Sequence, residues 1–214
     1  MLERAKLSSA AGFGARCPPG LLVVTWFSKP DLEVGLLSRK KTGIAQGLEG
    51  MAFSLKRLSL QELDEAAIIH RTAFDDRLPW LAGLHSPEGD RVYFRNHVFP
   101  ACEVWGAVDE ALVGFIAFRH EWIDQLYVLP HWQRQGVGRA LLKIACAASH
   151  RLSLWTFQRN TPARRFYESH GFIAVSETDG SGNEEREPDV LYHWDREQLS
   201  TCAVEFRSEA TEPP

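Results

Sequence analysis

Four cysteines in 214 residues (Cys17, Cys102, Cys146 and Cys202) are too few for a disulfide scaffold, and no two stand in CxxC spacing. Free, buried thiols in a reducing cytosol are the expectation. Eight histidines are scattered, none in an HxxxH or HExxH pattern, so no metal is expected. Long apolar runs are missing as well. The longest, Gly20–Phe27, falls far short of the ~20 residues a membrane helix needs, which points to a cytoplasmic protein without a membrane partner. No GxxxxGK[ST] loop is present, and no GxGxxG follows the first strand of a parallel sheet, so P-loop and dinucleotide-binding sites are excluded.

What is there is an ordinary globular composition, 44% hydrophobic and 24% charged, able to bury a real core. The formal charge of −4 is unevenly spread. Residues 1–50 carry seven Lys/Arg against four Asp/Glu, a net of +3, which leaves −7 for the rest. A domain of that sign is a poor nucleic-acid partner and a plausible host for cationic, amine-bearing substrates.

Residues 1–50 show no sustained period and are broken at Pro18-Pro19-Gly20 and Lys29-Pro30. They read as a poorly ordered N-terminal extension, with a domain over 51–197 and a loose acidic tail over 198–214. Within the domain, Phe53–Leu58 alternates as a strand, and Ser59 with Glu62 has the spacing of a capping box. Ser86 and Pro87 open a second helix running to Val98. Runs at Cys102–Val108 and Leu112–Phe118 read as a hairpin, and Trp122–Val128 as a third strand. A helix over Gly136–Ser149, a strand over Leu152–Phe157, a short helix over Thr161–His170 and strands over Phe172–Ser176 and Val190–Trp194 complete the order. Cys146 falls in an apolar stretch of its helix and is expected to be buried. Gly171 stands where a left-handed helix cap belongs. The expected fold is α+β with a mixed, largely antiparallel six- to seven-stranded central sheet and helices on both faces.

Chemistry concentrates in Ile123–Leu142. A strand ends, a turn carries Gln133-Arg-Gln-Gly136-Val-Gly138, and a helix begins at once. Such a turn aims unpaired backbone N–H groups and the positive end of a helix dipole at one point. Gly136 and Gly138 remove side chains where an anion approaches the backbone, and Arg134 and Arg139 add charge. The site suits a pyrophosphate.

Gln-x-x-Gly-x-Gly preceded by Val128-Leu-Pro130 closely resembles motif A of the GNAT acetyltransferases. One strand later, Asn160-Thr-Pro-Ala163-Arg-Arg-Phe166-Tyr167 through Gly171-Phe172 is similar to the family's motif B. The resemblance spans roughly Phe53 to Trp194. It implies acetyl-CoA as co-substrate, held where Trp122–Val128 and Leu152–Phe157 splay apart. The pantetheine arm would pair with the backbone around Leu126, Tyr127 and Val128. The pyrophosphate would sit on the amides of Arg134, Gln135, Gly136, Val137, Gly138 and Arg139. Gln133, Ala163 and Phe166 belong to the same cofactor motifs, and Asn160 would bond the pantetheine arm.

The resemblance further implies N-acetylation of a primary amine on a small molecule or peptide by direct attack, with Tyr167 as the acid that protonates the leaving thiolate. Asp124 is the preferred candidate base, Glu121 a weaker one, and a reaction without a single base stays open. The rival reading is a catalytically silent acyl-CoA-binding module. A homodimer is compatible with the resemblance, and the acceptor carries no decodable motif.

Overall fold

The computed structural model describes residues 52–197. The expected extension over 1–50 and the tail over 198–214 lie outside the described residues. Twelve elements follow in order: β1 (Ser54–Arg57), α1 (Leu63–Arg77), α2 (Pro87–Tyr93), α3 (Phe99–Ala101), β2 (Glu103–Asp109), β3 (Ala111–Arg119), β4 (Trp122–Val128), α4 (Val137–Ala148), β5 (Arg151–Phe157), α5 (Thr161–Glu168), β6 (Ile173–Glu177) and β7 (Asp189–Asp195). The strands form one seven-stranded sheet in the order β1-β2-β3-β4-β5-β7-β6. Every pairing is antiparallel except β4 with β5.

The helix starts follow from their capping residues. Ser59 N–H and Oγ both donate to the Glu62 carboxylate (2.8 and 2.7 Å), and a single 3₁₀ turn leads from there into α1. Ser86 Oγ accepts from the Gly89 amide at 3.0 Å, with Pro87 in the first turn of α2. The single helix expected over Pro87–Val98 is interrupted: Phe94–Val98 is π-helical before α3 resumes. Pro100 explains the break, since it has no N–H for the carbonyl four residues back and its ring crowds that carbonyl.

The sheet carries a core on each face. α4 buries Val137, Ala140, Leu141, Ile144 and Ala145, the i, i+3, i+4, i+7, i+8 stripe of an amphipathic helix, against Ile116, Leu152 and Leu154. On the opposite face, Leu63, Ala66 and Ala67 of α1 and Phe94 pack on Val104, Phe115 and Ala117. Each fully buried Leu or Phe contributes about 1.5–3 kcal/mol, so both helical layers are anchored to the same strands. Cys146 departs from expectation in being only partly buried at the rim of the first core; burial still pushes its thiol up to about 11. No described helix is long and apolar enough to cross a membrane.

Two features of β4 position the site. It is registered with β5 only at Trp122↔Ser153, after which the two parallel strands part. It also carries a bulge: Ala117 pairs with Gln125 and Phe118 with Ile123, leaving Asp124 as the extra residue.

Candidate active site

The parted strands open into a cavity of about 430 Å³. One wall comes from β4 and β5, through Leu126, Val128, Trp155 and Phe157. A second comes from the turn and helices beyond, through Gln133, Arg134, Gly136, Gly138, Arg139, Asn160, Ala163, Phe166 and Tyr167. The third is the end of α1 with Ala73, Phe74, Arg77 and Leu78. Because β4 pairs with β3 on one side and meets β5 only at Trp122, its other edge past that point has no ladder partner. That open edge faces the cavity and can accept an extended amide-bearing chain.

The turn into α4 is held in a demanding conformation. Gly136, at the N-cap, has φ +86° and Arg134 has φ +60°; a residue with a side chain rarely adopts such values outside a site that requires them. A Cβ on Gly138 would stand 3.5 Å from the Phe166 ring and 3.9 Å from Val128, ordinary contact. Packing alone therefore does not demand glycine at 138; the space beside it belongs to the cavity. Gln133 is a strut: Nε2 donates to the Val128 carbonyl at 3.1 Å, and Oε1 accepts from Arg77 at 3.2 Å. It ties the turn to the end of β4 and to the last turn of α1.

Other expected cofactor residues are placed differently from their anticipated use. The Val137 side chain is buried in the core under α4, so only its backbone is near the turn. Gln135 is exposed, outside the cavity lining, with Nε2 on the His131 carbonyl at 2.6 Å. Asn160 caps α5, its Oδ1 accepting from the Ala163 amide at 3.3 Å; its Nδ2 and the second lone pair of Oδ1 are left for a ligand. The Tyr127 ring turns toward α1, edge-on to His70 with centroids 4.7 Å apart, and burial is the main cause that raises its phenol. His70 is held neutral there, pushed down to about 3 by burial.

Tyr167 projects from α5 into the cavity wall and is largely buried, its ring edge-on to Phe172 at 5.4 Å. Burial raises its phenol above the ordinary range, so it is protonated at neutral pH. Asp124 also lines the cavity, with a side chain only 3% exposed, and pairs with Arg119 through two contacts of 3.0 and 3.1 Å. Burial pushes its carboxyl up to about 6, while Arg119 and the Cys102 thiol pull the other way. Glu121 sits in the β3–β4 turn at φ +61°, exposed and away from the cavity lining.

The 178–188 loop between β6 and β7 lies against the segment after α1. Glu187 is buried: its Oε2 accepts from Trp80 Nε1 at 3.1 Å, its Oε1 forms an ion pair with Arg159 Nε at 3.2 Å, and the Arg159 guanidinium lies 5.4 Å over the Trp80 ring. His85, Glu184 and Glu185 bring ligand-type atoms within 4.8 Å of one another beside this loop. Several cavity residues carry no sequence signal of their own. Gln125, Thr156 and Arg77 are ordinary strand and helix residues, brought in by the bulge, the splay and the end of α1.

The GNAT acetyltransferase domain model matches residues 100–174, which hold β2–β5, the phosphate-type turn and α5. The chain belongs to the GNAT family. It is an acyltransferase. It is similar to the peptidyl-lysine N-acetyltransferase YjaB of Salmonella typhimurium, 26% identical over 62% of this chain and 92% of that one. The peptidyl-lysine N-acetyltransferase YiaC of Escherichia coli is 32% identical over a shorter stretch, 31% of this chain and 47% of that one. The PaiA N-acetyltransferase of Thermoplasma acidophilum, solved in complex with coenzyme A, shares the fold with a TM-score of 0.52. It is 21% identical, over 68% of this chain and 99% of that one.

Proposed function

We propose that this GNAT domain transfers an acetyl group from acetyl-CoA to a primary amine by direct attack. The observation that carries the reading is the open β4 edge beyond Trp122↔Ser153, running straight into the amide-rich turn at Gly136 and Gly138. An extended chain ending in a pyrophosphate fits such a track: its amides meet the unpaired strand edge, and its phosphates meet the helix N-terminus with Arg134 and Arg139 alongside. Acetyl-CoA has that shape, and the coenzyme A complex of the PaiA relative supports it.

Tyr167, neutral and on the wall, is suited to protonate the departing thiolate. Asp124, ionised at neutral pH with a carboxyl near 6, is suited to take the ammonium proton. The names of the YjaB and YiaC relatives favour a peptidyl lysine as acceptor.

The test is thiol release from acetyl-CoA with a panel of lysine peptides, free-N-terminus peptides and small amines. Turnover with at least one class is expected. Tight coenzyme A binding with no thiol release across the panel would overturn the amine-acetylation reading.

A further inference from the structure

Gln125 has the one side chain lining the cavity, among the described residues, whose polar atoms are buried and without a hydrogen-bond partner. It is 2% exposed, and both Oε1 and Nε2 are unpaired. His70 Nδ1, Asp90 Oδ1 and Tyr93 Oη are also buried without a partner, but none of these residues lines the cavity. A carboxamide left unpaired in a protein interior is costlier than an apolar side chain of the same length. Gln125 is surrounded by positions that accept apolar residues: its cross-strand partner is Ala117, and Phe115 and Tyr127 follow on the same face. Nothing in the packing asks for an amide there.

We infer that Gln125 binds the acceptor, its Oε1 accepting an N–H of the attacking amine and its Nε2 donating to a carbonyl oxygen of the acceptor. The bulge at Asp124 sets the direction. With one extra residue in β4, Gln125 shares the α1 layer with Ala117, beneath Ala73, Phe74 and Leu78, opposite the wall formed by Gly136, Gly138 and Asn160. A donor held along the open edge by the turn into α4 leaves this face of β4 to the second substrate. A carboxamide presents one accepting oxygen and two N–H groups side by side, which matches an amine carried on a peptide or amino-acid amide better than a bare alkylamine. The apolar walls at Phe74 and Leu78 suit the methylene part of such a molecule. The assignment rests on the acetyltransferase reading and adds to it the residue that selects the acceptor.

The experiment compares wild type with Gln125→Met and Gln125→Leu, using Nα-acetyl-lysine amide and the tripeptide Ser-Ala-Ala as amine probes. The apo melting temperature of both variants should equal or exceed that of wild type, because no internal bond is lost. The acetyl-CoA KM should stay within twofold, while kcat/KM for the acetylated probe falls at least tenfold. Two results overturn the assignment. One is a lower apo melting temperature with equal losses for both substrates, which would reveal an internal partner for Gln125. The other is an acceptor kcat/KM within twofold of wild type. Absence of wild-type turnover with either probe is a separate failure, visible before any substitution; it sinks the acetyltransferase reading for these amines and takes the Gln125 assignment with it.

Discussion

The two sides of the cavity are made of different material. The α4–α5 side is built largely from backbone: an unpaired strand edge, a turn with Gly136 at φ +86° and Arg134 at φ +60°, and the amides that open a helix. The α1 side is built from side chains that reach across long sequence separations, with Arg77 on Gln133 in the lining and Trp80 and Arg159 on Glu187 in the segments behind it. A backbone site accepts one ligand shape and leaves a fixed glycine pattern. A side-chain site is free to vary, and leaves none. The first kind suits an invariant co-substrate and the second a variable acceptor. On that division, changes on the α4–α5 side should act on the donor or the chemistry, and changes on the α1 side on the acceptor.

The largest effect is expected at the junction of the two sides. Tyr167→Phe should lower kcat by on the order of 10²-fold with little change in apo stability, since the ring and its contacts with Phe172 remain. Steady-state kinetics beside a melting curve decides it; an unchanged kcat would return Tyr167 to a packing role.

Asp124→Asn should cost roughly tenfold or more in kcat/KM and change its pH profile. The carboxyl stands at about 6 against an ordinary 3.8. Wild-type kcat/KM should therefore rise with pH through about 6 as the base ionises, and the variant should lack that limb. Stability runs the other way. Between about 4 and 6 the native protein holds a proton that the unfolded chain has lost, so this group's contribution to stability falls as pH rises through that window. Denaturation curves at pH 4 and pH 7 should show that component vanish in Asp124→Asn. A variant that keeps the acid limb of kcat/KM would remove Asp124 as the base.

Gly138→Val should raise the acetyl-CoA KM by about tenfold, on the order of 1.4 kcal/mol of binding, and leave the acceptor KM nearly unmoved. The first added carbon meets only ordinary contacts with Phe166 and Val128, so apo stability should change little. Lower stability with a normal acetyl-CoA KM would make the glycine a packing residue.

The same division explains what the sequence discloses. Every strand and most helix starts were legible, because capping at Ser59 and Ser86 and the alternation of the strands are local. The splay of β4 from β5 followed from the resemblance carried by Gln133–Gly138 and Asn160–Phe172. Gln125 stayed hidden because strict alternation groups it with Ile123, whereas the bulge at Asp124 sends Ile123 to the α4 core and Gln125 to the α1 face. A bulge has no residue signature here; it exists only relative to β3. Asn160 was legible as a motif residue but not as the cap of α5. The Glu187 contacts were out of reach because Trp80 lies 107 residues away.

The smallest effect, Glu187→Gln, tests whether the loop of residues 178–188 belongs to the acceptor side. The substitution keeps an oxygen for Trp80 Nε1 and removes the charge facing Arg159, whose side chain is 65% exposed. An ion pair with so exposed a partner is screened by water, and its loss is modest. Gln158 still fastens the loop to the end of β5, its Nε2 donating to the carbonyls of Thr178 and Asp189 at 2.9 and 3.1 Å, so the loop should keep its path. What changes is the stiffness of the Trp80–Arg159 contact, close along the chain to Leu78 and Asn160 of the cavity lining. The acceptor KM should rise about two- to fivefold, kcat should hold, and added salt should narrow the gap between wild type and variant because it weakens the wild-type pair. The acetyl-CoA KM is the deciding control. If it rises in step with the acceptor KM, the loop braces β5 and the donor track, and the two sides of the cavity are one mechanical unit. If it holds while the acceptor KM moves, the acceptor side is independently adjustable, as its side-chain construction requires.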